Sequence, residues 1–250
     1  MKIFYVMVVK EFDERFKQSF ASLLGQDYPV ENIFLCSESP YSSEDLPKLR
    51  TIASLAEVNQ LHSLNVARKI FMKDRRFDAL LTLEADVVIP KDAVRKLVEG
   101  LKGYDQIGVT CRLRKGNVVA MKEDPNDDRP FPSNVHSVAN IEATYRAIRQ
   151  GLVIEVDSVS FNCTLFTRKV IEQMAWGWDD RFVSDHKWFF VDSRKHHFRT
   201  ALHGGVWARH LDRDGTVWEV GDIMDKPFVP AVRGNLGEWG DVIGKEKQSQ

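Results

Sequence analysis

The sequence predicts an α/β fold with a mostly parallel central sheet. Short apolar runs alternate with amphipathic segments through the first 115 residues, and polar or acidic residues close the runs. At 250 residues and 43% hydrophobic content, the chain is long enough to bury one full core. A single domain is expected over residues 1–244, with halves at 1–115 and 116–244 and a frayed tail at 245–250.

Residues 3–9 are apolar and β-rich, as in a buried strand, and Phe12, Phe16, Phe20 and Leu23 then recur at helical spacing. Gly25-Gln26-Asp27-Tyr28-Pro29 breaks that helix, and residues 32–36 form a second buried strand that ends at Ser37-Glu38. The spacing of Leu55, Val58, Leu61, Leu64, Ala67 and Phe71 predicts a long helix, or two abutting ones, over 55–77. Residues 78–83 make a third strand, with Glu84-Ala85-Asp86 at its C-terminal end. Pro90 opens a helix that runs through 101, and 106–113 is a fourth strand. Residues 122–134 hold three prolines and four acidic residues, which predicts a loop beside the site. The second half reads as a helix at 141–149, strands at 152–159 and 163–167, a helix at 168–174 and a strand at 206–211.

A formal net charge of -1 gives no electrostatic basis for binding nucleic acid or a bulk membrane surface. Cys36, Cys111 and Cys163 are odd in number and sit in apolar runs, as buried reduced thiols do. The apolar N-terminus is too short to cross a bilayer and lacks a small-residue cleavage site, so a cytoplasmic location is expected.

In open α/β sheets ligands collect beyond the carboxyl ends of the strands, where Ser37-Glu38 and Glu84-Ala85-Asp86 both fall. Two carboxylates one residue apart can direct a hard cation, Mn²⁺ or Mg²⁺, at a diphosphate; a solvated turn is the plainer reading of the same triplet. Five of the seven histidines lie between His186 and His210, at spacings that match no zinc pattern; His196-His197 suit a turn, and His203 is a weaker metal candidate than His210.

The order and spacing of Val8-Val9-Lys10, Leu23-Leu24-Gly25-Gln26-Asp27-Tyr28-Pro29, Ala67-Arg68 and Leu81-Thr82-Leu83-Glu84-Ala85-Asp86 resemble the N-terminal half of family 2 glycosyltransferases. Val156 through Arg168 is similar to that family's acceptor-side strand pair, and Gly177-Trp178-Asp179-Asp180-Arg181-Phe182-Val183-Ser184-Asp185 resembles the stretch presenting its catalytic carboxylate. The likeness covers roughly residues 1–215. It implies the GT-A fold, a Rossmann-like three-layer arrangement, with a nucleotide-sugar-binding half followed by an acceptor-binding half. It further implies a metal at Asp86 and Glu84 with His210 as third ligand, where an ordinary strand-end histidine is the alternative. Glu84, Ala85, Val9, Glu38 and Arg68 would lie against the nucleotide sugar, Glu38 and Arg68 being equally readable as surface charges. Trp176 and Trp178 flank the acceptor side, where an indole can stack on a sugar ring, although core packing suits either one. Asp185 is the implied base, in a place that also suits a helix N-cap before Trp188-Phe189-Phe190-Val191.

The chain departs from the family pattern where Glu84 replaces the leading Asp, Ser184 the leading Glu and Lys187 a common acid, and where Val8-Val9-Lys10-Glu11 replaces Pro-X-Tyr-Asn. The expected activity is a metal-dependent, inverting transfer of a sugar from a nucleoside-diphosphate sugar to an acceptor hydroxyl of unspecified identity. The alternatives are a catalytically silent sugar-nucleotide binder and a nucleotidyltransferase, the latter disfavoured because no Gly-rich phosphate loop follows the first strand. A homodimer is compatible with the sequence.

Overall fold

Strand β1 (Ile3–Val9) sends alternate side chains to opposite faces of the sheet: Ile3, Tyr5, Met7 and Val9 enter one apolar core, Phe4 and Val6 another. A strand buried on both faces must be apolar throughout, which is why residues 3–9 show no polar alternation. The computed structural model describes residues 1–31, 33–37, 49–54, 60–112, 120–121, 145–177 and 185–221. The expected loop at 122–134 and tail at 245–250 lie outside these.

Helix α1 (Glu14–Leu24) closes the first core with Phe16, Phe20 and Leu23. The Asp13 carboxylate caps it by accepting from the backbone N–H groups of Arg15 and Phe16. After β2 (Ile33–Ser37) and β3 (Leu49–Ser54), helix α2 (Gln60–Lys73) covers the opposite face with Leu64, Ala67 and Phe71. Next come β4 (Ala79–Glu84), β5 (Val87–Val88), α3 (Ala93–Gly100) and β6 (Gln106–Cys111). Val94 and Leu97 of α3 join α1 in the first core. The second half supplies β7 (Ala120–Met121), a helical turn at 145–149, β8 (Val153–Val156), β9 (Ser158–Val159) and β10 (Cys163–Thr167). Helices Arg168–Gln173 and Asp185–Lys195, β11 (Thr200–Leu211) and β12 (Val217–Trp218) follow.

The main sheet runs β12-β11-β6-β10-β4-β1-β2-β3, with β5 and β8 paired to β11. Strands β3, β2, β1 and β4 are mutually parallel, and β6 is parallel to β11; β10 is antiparallel to both β4 and β6. Helices on both faces make this the expected three-layer, mostly parallel fold. The three cysteines are buried free thiols. Among the described residues no helix is long and apolar enough to cross a membrane.

Strand β3 is absent from the sequence reading, because an edge strand bonded on one side needs no continuous apolar run. Within the predicted helix at 55–77, the described helix spans Gln60–Lys73. Pro90 lies ahead of α3 rather than inside it: Ala93 N–H bonds the Pro90 carbonyl in a turn, and the helix starts after it. The single strand expected at 152–159 is divided at Asp157, β8 joining the main sheet and β9 pairing with β7.

Strand β11 begins earlier than the predicted 206. His203 pairs with Val109 of β6 and Trp207 with the next residue, Thr110, so 204–206 bulge out of the ladder. An odd number of extra residues exchanges the faces of everything beyond. The bulge requires glycine at 204, since a Cβ there would stand 2.7 Å from the Leu152 carbonyl oxygen and 2.8 Å from the Ile148 Cα, both backbone atoms that cannot turn aside. Gly204→Ala is expected to cost about 2 kcal/mol or more, read as a lower urea midpoint at unchanged slope. A midpoint equal to wild type would show that the bulge relaxes freely.

Candidate functional site

Parallel strands β1 and β4 end side by side, with Val8 in register with Glu84. A cavity of about 450 Å³ opens beyond these ends. Val6, Val8, Leu64 and Phe161 form an apolar wall, while Lys10, Glu11, Asp13, Arg15, Glu84, Asp86 and Arg213 supply charge. Thus a cleft lies at the carboxyl end of the sheet, where the sequence places it.

Three contacts fix Glu84. Its backbone N–H donates to the Asn162 carbonyl at 2.9 Å, its carbonyl accepts from the buried Ser19 hydroxyl at 2.9 Å, and its carboxylate accepts from the Asn162 side-chain amide at 2.8 Å. Asn162 is 2% exposed, and its Oδ1 has no partner among the described residues.

Asp86 follows in a turn and is held by the next strand pair. Its carbonyl accepts from the Leu211 N–H at 2.8 Å, while Val87 of β5 stands opposite His210 of β11. This pairing brings His210 Nε2 to 3.3 Å from Asp86 Oδ2, with the His210 side chain 9% exposed and that of Asp86 25%. Burial works against ionisation of Asp86, but the hydrogen bond and charge of His210, helped by the Arg15 guanidinium, outweigh it and hold the carboxyl below the usual aspartate range. A half-buried carboxylate facing an imidazole nitrogen offers one oxygen and one nitrogen donor to a divalent cation.

The sequence-derived ligand set needs correction. Among the described residues no three of His, Cys, Asp and Glu gather around one point. Glu84 closes the strand whereas Asp86 lies in the turn that follows, and the two carboxylates meet different partners, Asn162 for Glu84 and His210 for Asp86. Ala85 lines the cavity. Val9 does not: its side chain is in the core on the α1 side, and Val8 faces the cavity. Arg68 is also elsewhere, donating from Nε and from a terminal nitrogen to the carbonyls of Ile171 and Glu172 at 2.7 and 2.9 Å. Trp176 is 3% exposed and stacks on Phe189 in the second core, not on an acceptor surface. His203 is buried, with burial pushing its pKa down, and its Nδ1 accepts from the Gly205 N–H. His196 and His197 form a turn, His197 at φ 58°. Glu38 and Trp178 fall outside the described residues. The backbone of Asp185 begins the helix Asp185–Lys195, and its side chain is outside the described set.

The sequence reading missed Lys10, Arg15, Arg213 and Asn162. Arg15 reads as an ordinary charge on a helix face, and Asn162 meets Glu84 across 78 positions, which no local spacing signals.

No protein-family model matches the chain, and a search of curated proteins returns no match. Solved structures match in fold. S. aureus TarS 1-349 in complex with UDP-GlcNAc aligns with a TM-score of 0.53 and 12% identity over 92% of this chain and 62% of that one. A longer TarS structure aligns at 0.51 and 14% over 81% of this chain and 35% of that one, so this chain spans well under the full length of TarS. A197 from STIV aligns at 0.50 and 13%, covering 94% of this chain and 100% of that one. TarS is a GT-A-type glycosyltransferase, and the likeness at this identity is one of fold. The chain therefore has a GT-A, Rossmann-like α/β fold.

Proposed function

We propose that the protein is a divalent-cation-dependent glycosyltransferase that moves a sugar from a nucleoside-diphosphate sugar to an acceptor hydroxyl, with inversion. The observation that carries this reading is Asp86, which lines the cavity beyond the carboxyl ends of β1 and β4 with His210 against its carboxylate. The charge balance of the cavity supports it. Four carboxylates (Glu11, Asp13, Glu84, Asp86) line it against three cationic side chains (Lys10, Arg15, Arg213), so with His210 uncharged, as metal ligation requires, a diphosphate entering alone would add to a net negative site. A divalent cation held by Asp86 and His210 would offset that charge and stabilise the departing diphosphate.

The apolar wall of Val6, Val8, Leu64 and Phe161 suits a nucleobase. Glu84, oriented by Asn162, would accept from donor hydroxyls, and Asp185 would take the proton from the acceptor hydroxyl. The fold likeness to TarS, one of whose structures contains UDP-GlcNAc, supports a sugar-nucleotide donor.

Unfolding followed by dye fluorescence, over a panel of nucleoside-diphosphate sugars with and without Mn²⁺, tests the reading. At least one donor should raise Tm by several degrees only when Mn²⁺ is present, since a ligand that binds the native state stabilises it. Unchanged midpoints across the panel would refute it.

A further inference from the structure

The cavity holds two guanidinium groups of unlike origin joined by one carboxylate. Arg15 comes from the first turn of α1, and Arg213 from the tight turn between β11 and β12, where Gly215 at φ 85° donates its N–H to the Asp212 carbonyl. Glu11 lies between them, with Oε1 3.0 Å from a terminal nitrogen of Arg213 and Oε2 3.4 Å from one of Arg15. Arg213 thereby reaches across 202 positions to an anion that it shares with Arg15 at the rim of the cavity lined by Asp86.

The geometry points to Arg15 and Arg213 as a two-armed clamp for the donor diphosphate, occupied by the Glu11 carboxylate when no donor is bound. The assignment rests on the proposed sugar-nucleotide reading of the cavity. Glu11 demonstrates the spacing: one anion with an oxygen on each side satisfies both arginines, and a phosphate group presents oxygens in the same manner. A guanidinium fork is also better matched to phosphate than an ammonium would be.

Exchange of partner is easy for Arg213. Its side chain is 67% exposed and that of Glu11 54%, and solvent-exposed ion pairs of this kind are weak. Arg15 differs in that its side chain is only 17% exposed and its Nε is anchored on Asp13 Oδ2 at 2.6 Å. Asp13 contacts both Nε of Arg15 and the terminal nitrogen that meets Glu11 at longer range, which fixes the guanidinium where a ligand anion would take the place of Glu11. Arg15 is the preorganised arm and Arg213 the mobile one, carried on the hairpin that also ends the strand bearing His210.

Calorimetric titration with UDP and with uridine, each in the presence of Mn²⁺, separates the clamp from the reading on which it rests. GDP, ADP, CDP and dTDP serve in turn should UDP not bind. Arg15→Gln and Arg213→Gln should each weaken the diphosphate by about 10-fold or more and leave the nucleoside unchanged. Glu11→Gln should tighten the diphosphate by roughly 3-fold or more, because the competing anion is gone; a merely structural role for Glu11 would not do this. Wild-type affinity in both arginine variants, or equal weakening of nucleoside and diphosphate, overturns the clamp while the sugar-nucleotide reading stands. A wild-type protein that binds none of the five diphosphates overturns both.

Discussion

Replacing Asp86 with alanine is expected to abolish cation-dependent donor binding and to lower sugar transfer by about 100-fold or more. The substitution removes one of the two groups placed to hold a cation and leaves His210 facing a vacated carboxylate position. It should not unravel the neighbourhood, because the bond that ties this turn to β11 runs from the Leu211 N–H to the backbone carbonyl of residue 86, which alanine retains. Calorimetry with Mn²⁺ and a binding donor checks the first part, and single-turnover transfer the second. Donor and cation binding as tight as wild type would remove Asp86 from the site. The pH dependence supplies an internal control. A carboxyl whose folded pKa lies below its unfolded value stabilises the native state above the ordinary aspartate range and loses that contribution as pH falls through the folded value. Wild type should therefore lose stability over this acid window in a way that Asp86→Ala does not.

The parts of the molecule legible in its sequence are those with a local signature. Residues 3–9 read as a strand because both faces are buried, and Phe16, Phe20 and Leu23 mark α1 because a helix repeats its apolar face. The position of Asp86 beyond β4 followed from the same logic. What escaped the reading is made by contacts between distant segments. The bulge at 204–206 sets which face of β11 carries His210, yet what makes glycine necessary there is the backbone at Leu152 and Ile148, distant in sequence. The separation of Glu84 from Asp86 depends on Asn162, and the charged rim on the meeting of Glu11 with Arg213. The adjacent carboxylates of the triplet suggested one shared metal, but a strand end and a turn aim neighbouring side chains differently.

Asp185→Asn is expected to lower kcat by about 100-fold or more, within the range that general-base catalysis contributes, and to leave donor affinity unchanged. The helix Asp185–Lys195 is anchored beside the cavity by its own apolar residues. Phe161, which lines the cavity, has its ring centroid 5.4 Å from Phe189 and 5.6 Å from Phe190, so the helix packs directly behind the cavity wall. Asp185 begins this helix, and it closes the stretch that resembles the one presenting the family's catalytic carboxylate. Asparagine keeps the size and the helix-starting tendency of aspartate while removing its basicity. A capping role would thus survive the substitution, whereas a catalytic role would not. Saturation kinetics discriminate: loss confined to kcat with KM for the donor constant assigns the base, and a kcat equal to wild type assigns the proton transfer to another group. If wild type itself binds donor and Mn²⁺ but transfers to no hydroxyl across a broad acceptor panel, Ser184 and Lys187, the two departures flanking Asp185 from the family pattern, become the residues to restore first, as Ser184→Glu and Lys187→Glu.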